Sequence, residues 1–326
     1  MRKTRWSTLA GYKHVIKKRL NPKFGYFLMT DIHLALIQSY VTERMQDIDA
    51  RRRKKKEGKK AKSPKKLVSP KTIANEVVVI KEMFKHALQW GYVKVNPAEH
   101  LQKPRMVKPE IEILEPAEFM SLLEHSSDLY RVAFRTAIIT GVRAGELWAL
   151  QWDAVDWDIK RLYVHQSIWK NNFQTPKSKK SIRKIDLPDD LVFELRRWKL
   201  ACPISKHNLM FPSKEGQITC HDNAVKRHFK PALRKAGLQQ VSFHSLRHTN
   251  ASLRIRAGQD FKYMSTQMGH SSINITLDTY GHLFNDQDFN RQQVDLLQKA
   301  FDPVRNPLEK SPKNAKKGLA FSANPL

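Results

Sequence analysis

The sequence predicts a mainly helical α+β protein carrying one small antiparallel sheet. Three observations predict it. Apolar residues recur at three- and four-residue spacing through most of the 326-residue chain, which is helix periodicity. Runs rich in Trp, Tyr, Val and Ile are confined to about 152–188, which reads as strand. A segment with two prolines and three cations, 102–109, divides a very basic first part from a more ordinary second part. The expected organisation is a helical domain over 1–103 and a linker over 104–110. A mixed domain over 111–287 follows, then a C-terminal helix and tail over 288–326.

The elements follow in order. Trp6, Leu9, Ile16 and Leu20 share one helix face, and Asn21-Pro22 is expected to end that helix. Asp31 is the expected N-cap of a second helix through Ile37, Tyr40 and Ile48. Residues 51–66 then hold eleven basic residues in sixteen, among them Arg51, Arg52, Arg53, Lys54, Lys55, Lys56, Lys59 and Lys60. Like charges at this density repel, so the run is expected to be an extended loop. It could be a solvated linker; in a domain this basic it reads better as an arm that tracks phosphates. Ser69-Pro70 opens a helix with Ile73, Val77, Ile80, Phe84 and Leu88 on one face, and Gly91 ends it. Glu115-Pro116 begins the next helix, and another runs over about 128–139 and stops at Gly141, with helix resuming over 143–150. Segments 152–164, 167–173 and 182–188 are the expected three strands. Helices fit 188–200, 221–236, 244–257 and 260–268, with a short one near 272–281. Val294, Leu297 and Phe301 form an apolar stripe on a last short helix, followed by a tail expected to be disordered.

Composition narrows the function classes. The net charge is +28, from 59 Lys and Arg against 31 Asp and Glu. Residues 1–110 alone hold 27 basic and 9 acidic residues. Such an excess favours a polyanionic partner, usually nucleic acid, although a ribosomal protein or an anionic-membrane binder would share it. No stretch approaches the ~20 apolar residues of a membrane span. The basic N-terminus lacks the apolar core of a signal peptide. Cys202 and Cys220 have no CxxC spacing, so neither a disulfide framework nor structural zinc is expected, and a reducing cytoplasm fits.

Three short segments carry chemistry. They are 140–146 around Arg143 and Glu146, 244–248 around His244, Arg247 and His248, and 269–280 with His270 and Tyr280. A phosphodiester repels nucleophiles with its own charge, so a protein working without metal must neutralise the non-bridging oxygens. The fixed fork of arginine suits this, and Arg143 and Arg247 are the candidates. Taken alone, Arg143 beside Glu146 would be a surface salt bridge. Helical spacing places His244, Arg247 and His248 on one side. A zinc pair at His244 and His248 is disfavoured, because Arg247 would set positive charge beside the cation. Strand cleavage expels a deoxyribose 5′ oxygen, which needs a general acid. Lys177, Lys179 and Lys180, on the polar turn before the last strand, can each supply it.

Together these boxes resemble the tyrosine recombinase (phage integrase) family. The resemblance rests on Thr140-Gly141-Val142-Arg143-Ala144-Gly145-Glu146-Leu147, Thr175-Pro176-Lys177-Ser178-Lys179, His244-Ser245-Leu246-Arg247-His248-Thr249, Met268-Gly269-His270-Ser271-Ser272 and Thr276-Leu277-Asp278-Thr279-Tyr280. It implies a SAM-like helical core-binding domain and a catalytic domain that form a C-shaped clamp on double-stranded DNA. It further implies that Arg143 and Arg247 hold the scissile phosphate and that Lys177 protonates the 5′ oxygen. His244 and His270 would bond the phosphate, with His244 the better acceptor of the tyrosine proton, and Glu146 would orient the site. Tyr280 would attack to give a 3′-phosphotyrosyl link, with no metal, cofactor or ATP. A homotetramer on two paired sites, with accessory DNA-bending proteins, is the implied assembly, in a bacterial or phage-infected cell. Two departures stand out. The arm-binding domain that many phage integrases carry ahead of the core-binding helices is not expected here. The basic run at 51–66 is longer than the family pattern.

Overall fold

In the computed structural model the described residues are 6–47, 67–106, 111–175, 181–280, 291, 294–299 and 301. The basic run at 51–66, residues 177, 179 and 180, Ile48 and most of the tail lie outside the described residues. The chain divides into two compact units, Met1–Glu110 and Ile111–Leu326.

The first unit is helical. Helix α1 (Trp6–Val15) does not stop at Asn21-Pro22. It passes through a π turn (Ile16–Leu20) into α2 (Asn21–Phe24). The physical reason lies in the wider turn. Asn21 donates to the Ile16 carbonyl five residues back, and this extra residue absorbs the missing N–H and ring clash of Pro22. Trp6 is 75% exposed, so the first turn of α1 lies outside the core. Helix α3 (Leu34–Gln46) starts later than expected, with His33 rather than Asp31 at the N-cap. Buried Ile32 anchors the chain just before it, which moves the start past Asp31. Helix α4 (Pro70–Gln89) is capped by the Ser69 hydroxyl, which accepts from the Thr72 amide. Ile73, Val77, Ile80 and Phe84 are buried with Leu20, Ile37 and Leu101, whereas Leu88 is exposed and Ala87 takes the inward place. Inside this core Glu76 accepts from Arg44 Nε (2.9 Å) and Nη2 (2.8 Å) and from the Tyr40 hydroxyl (2.8 Å), so its charge is paired.

The second unit opens with α5 (Pro116–Glu124), α6 (Asp128–Thr140) and the single turn α7 (Ala144–Leu147). Helix was expected as far as Leu150, but there the backbone turns extended: the Leu150 carbonyl accepts from Met210 N at 2.8 Å. Strands β1 (Val155–Asp156), β2 (Arg161–Val164) and β5 (Arg183–Asp186) form a three-stranded antiparallel sheet in the order β1-β2-β5. The segment expected as the middle strand instead makes a separate hairpin, β3 (Ser167–Trp169) with β4 (Asn172–Gln174). Lys170 and Asn171 both have positive φ, 48° and 61°, which turns the chain back within two residues. Helix α8 (Asp189–Ala201) follows, then α9 (His221–Ala224), a π turn (Val225–Phe229) and α10 (Lys230–Lys235). This second π turn precedes Pro231 just as the first precedes Pro22. Helices α11 (Ser245–Arg256), α12 (Phe261–Met268) and α13 (Ile273–Tyr280) complete the unit.

The main core of this unit gathers Phe134, Trp148, Phe229 and Phe243, with Phe134 5.3 Å from Phe229 and 5.8 Å from Phe243 between ring centres. A smaller cluster, Ala251, Ile255, Met264, Met268 and Tyr280, ties α13 to α11 and α12. Val294, Leu297 and Phe301 are all exposed. No helix among the described residues is long and apolar enough to cross a membrane.

Candidate active site

Two left-handed glycines aim the backbone at the site. Helix α6 ends on Gly141 (φ 64°), and α12 ends on Gly269 (φ 65°). A side chain at either would strain the left-handed backbone and displace a neighbour. A Cβ on Gly141 would lie 2.6 Å from Asn250 Oδ1, and one on Gly269 would lie 2.9 Å from Arg183 Cδ and Nη1.

The end of α12 organises three arginines. The successive carbonyls of Gln267, Met268 and Gly269 accept from Arg183 Nε (2.7 Å), Arg247 Nη2 (2.7 Å) and Arg143 Nη2 (3.1 Å). These are the carbonyls a helix C-terminus leaves without intrahelical partners, and the negative end of its dipole faces the cations. Arg247 Nη1 also bonds the Gly141 carbonyl, so α6, α11 and α12 meet on this one guanidinium.

Glu146 is the buried counter-charge. Its carboxylate accepts from Arg143 Nη1 (2.9 Å), the Arg143 amide (3.0 Å) and Arg183 Nη2 (2.9 Å). Burial alone would raise its pKa; Arg183 and then Arg143 outweigh that and hold it below the ordinary carboxylate range. Burial, then Arg143 and Arg183, push Arg247 down to about 9, so it still carries its charge at neutral pH. One carboxylate therefore faces three guanidiniums, an arrangement whose surplus positive charge suits an anion. No cluster of metal-ligating side chains occurs among the described residues.

Sequence reasoning missed Arg183. It uses all three guanidinium nitrogens, adding the Ser181 carbonyl (3.0 Å) to Gln267 and Glu146. It is 5% exposed and works as internal scaffolding. Arg143 and Arg247 each make two side-chain bonds among the described residues, which leaves N–H donors for a ligand.

The histidines and the tyrosine complete the site. Buried His270 meets the Thr276 hydroxyl through Nδ1 at 2.6 Å. Burial first, then Arg247, Arg143 and Arg183, bring its pKa to about 3, so its ring is neutral near pH 7. His244 sits at the N-cap of α11, and loss of solvation around its ring, then His248, Arg247 and Arg143, lower its pKa to about 4. Tyr280 is 2% exposed, and its hydroxyl lies 2.8 Å from Nδ1 of His248. Burial pushes the phenol up to about 12 while the Arg247 charge pulls it down. The structure thus brings Arg143, Glu146, Arg247, His244, His270 and Tyr280 into one site. It differs from expectation in setting His248, rather than His244, against the Tyr280 hydroxyl. Lys177 and the basic residues 51–60 lie outside the described residues. Beside His270 an open cleft of about 880 Å³ is lined by Arg161, Lys184 and Lys262 as well as Arg183.

A profile of the phage integrase family matches residues 112–287, more than half of the chain. The chain belongs to the phage integrase family. This integrase-family chain is 27% identical over 229 residues to ICEBs1 integrase of Bacillus subtilis strain 168, a match covering 65% of this chain and 62% of the relative. It is 28% identical over 243 residues to a XerC-like tyrosine recombinase of Caldanaerobacter subterraneus, again covering 65% and 62%. The chain thus spans less than two thirds of the length of these relatives. Among solved structures, the Tn1549 transposon integrase in complex with a circular-intermediate DNA matches with a TM-score of 0.72 and 19% identity, over 91% of this chain and 95% of that one. A lambda integrase dimer bound to a core site matches with a TM-score of 0.62 and 20% identity, over 84% and 91%. At these identities the likeness is one of fold.

Proposed function

We propose that this integrase-family chain is a site-specific tyrosine recombinase that breaks and rejoins double-stranded DNA. The observation that carries the reading is the placement of Tyr280, whose phenol is within the influence of Arg247 in a pocket holding three guanidiniums against one carboxylate. In this reading Arg143 and Arg247 direct their remaining N–H groups at the non-bridging oxygens of the scissile phosphate. With its ring proton on Nε2, His270 accepts from Thr276 at Nδ1 and offers Nε2–H to the same phosphate. Glu146 and Arg183 hold the clamp in place. Tyr280 attacks phosphorus, a 3′-phosphotyrosyl bond forms, and the 5′ oxygen leaves. Lys177 protonates that oxygen, with Lys179 the alternative. The bond energy stays in the phosphotyrosyl link, so a 5′ hydroxyl from a partner strand reverses the step without ATP or metal.

The basic run at 51–66 tracks the DNA backbone. Four protomers act on two paired sites, with the exposed stripe Val294, Leu297 and Phe301 docked on a neighbour. A DNA substrate places the reaction in the compartment that holds the chromosome.

The test is a nicked suicide DNA substrate built from the sequence flanking the gene, incubated in EDTA. A covalent protein–DNA adduct is expected for the wild type and none for Tyr280→Phe. Tight binding without an adduct would leave a DNA-binding protein that does not cut, and activity abolished by EDTA would overturn the metal-free mechanism. Cross-linking on the same synapsed DNA should yield tetramers; monomers alone would remove the docking of the stripe.

A further inference from the structure

We infer that His248, through Nδ1, takes the phenolic proton of Tyr280 as the tyrosine attacks the phosphate. The inference rests on the reading of Tyr280 as nucleophile and goes beyond it by assigning the base. The geometry is direct. His248 Nδ1 lies 2.8 Å from the Tyr280 hydroxyl, with the two rings edge to face at 5.7 Å. The phenol is held there by α11 and α12, packed against Ala251, Ile255, Met264 and Met268. His248 follows Arg247 on α11, so the phosphate clamp and the base ride on one rigid stretch of helix.

His244 is one step removed. Its ring meets His248 at 4.7 Å between centres, so it touches the base rather than the phenol. Burial and then the Arg247 charge keep His248 below the ordinary histidine range, which leaves a nitrogen lone pair free at neutral pH. Nδ1 can accept when the ring proton sits on Nε2, the tautomer this role requires.

The step balances. The Tyr280 O–H bond breaks as an N–H bond forms on His248, and the phenolic oxygen bonds to phosphorus as the P–O5′ bond breaks. The 5′ oxygen departs with a proton from the general acid. His248 is left as an imidazolium and returns its proton to the phenolate when the 5′ hydroxyl attacks. Ionising the buried phenol before attack is strongly uphill, so proton transfer and attack coincide.

His248→Asn tests this, because the amide stands where Nδ1 stands and keeps a hydrogen bond but has no basicity. Adduct formation on the suicide substrate should slow about 100-fold or more, within the range of general-base catalysis, while DNA affinity stays unchanged. Replacing Tyr280 by a more acidic fluorotyrosine should recover much of that loss, since an acidic phenol depends less on a base. A rate within a few-fold of wild type, or a loss that does not respond to phenol acidity, would overturn the assignment. If His248→Asn fails to fold, fluorotyrosines in the His248 protein decide. A rate nearly independent of phenol acidity supports His248, and one that tracks the phenolate fraction overturns it. A wild type that forms no adduct would instead sink the recombinase reading.

Discussion

Arg183 shows how one buried side chain can hold a candidate site together from within. Buried in β5, it joins Glu146 to the end of α12 and so fixes the carboxylate that steadies Arg143. Removing it leaves Glu146 buried with one guanidinium in place of two. Arg183→Ala should destabilise the protein by about 3–5 kcal/mol, the usual cost of breaking a buried ion pair from one side, as read by denaturant unfolding. Arg143, Arg247 and Tyr280 stood out in the sequence because each lies in a short box of unusual chemistry. Arg183 did not, because it sits beside Lys184 in a strand that reads as basic surface. Its signal was the period of two: Arg183 shares a face with Ile185, which is fully buried. The role of His248 was hidden for another reason. Its spacing from His244 raises zinc as a rival reading, whereas its contact with Tyr280 spans 32 residues.

Helices α6, α11 and α12 deliver the site through their ends, and the glycines set the angles. Gly141 and Gly91 both have positive φ, 64° and 77°, but only Gly141 faces a neighbour. Alanine at either should cost about 1–2 kcal/mol for the left-handed backbone. Gly141→Ala should cost more, because it must displace Asn250, whose Nδ2 bonds the Ile139 carbonyl at 2.9 Å. It should also slow DNA cleavage, since the Gly141 carbonyl anchors Arg247. Thermal unfolding and single-turnover cleavage of the two variants check this, and equal effects would refute it. Most helix starts and stops were legible because caps and apolar spacing are local. The π turns were not. Asn21-Pro22 reads as a helix end, and the packing of Leu20 and Phe24 on both sides keeps that helix going; 221–236 reads as one helix, with nothing in its spacing to mark the π turn before Pro231.

Across the whole molecule, the charge of +28 sets how the chain meets a polyanion. Each neutralised phosphate adds about −0.9 to the slope of log affinity against log salt. Replacing Arg51, Arg52, Arg53, Lys54, Lys55 and Lys56 with serine should therefore flatten that slope by roughly one for each residue in contact. Fluorescence binding across a salt series measures it, and an unchanged slope would remove the run from the DNA interface. The sequence by itself determined the fold class and a charge that suits a polyanionic partner, and it singled out Tyr280 as the candidate nucleophile, because these follow from composition and from residues close together in the chain. The tertiary structure alone decided that three consecutive carbonyls at the end of α12 gather Arg183, Arg247 and Arg143, and that His248 meets Tyr280. Those contacts join segments 21 to 126 residues apart, so no local spacing encodes them and only the packing of α6, β5, α11, α12 and α13 brings them together.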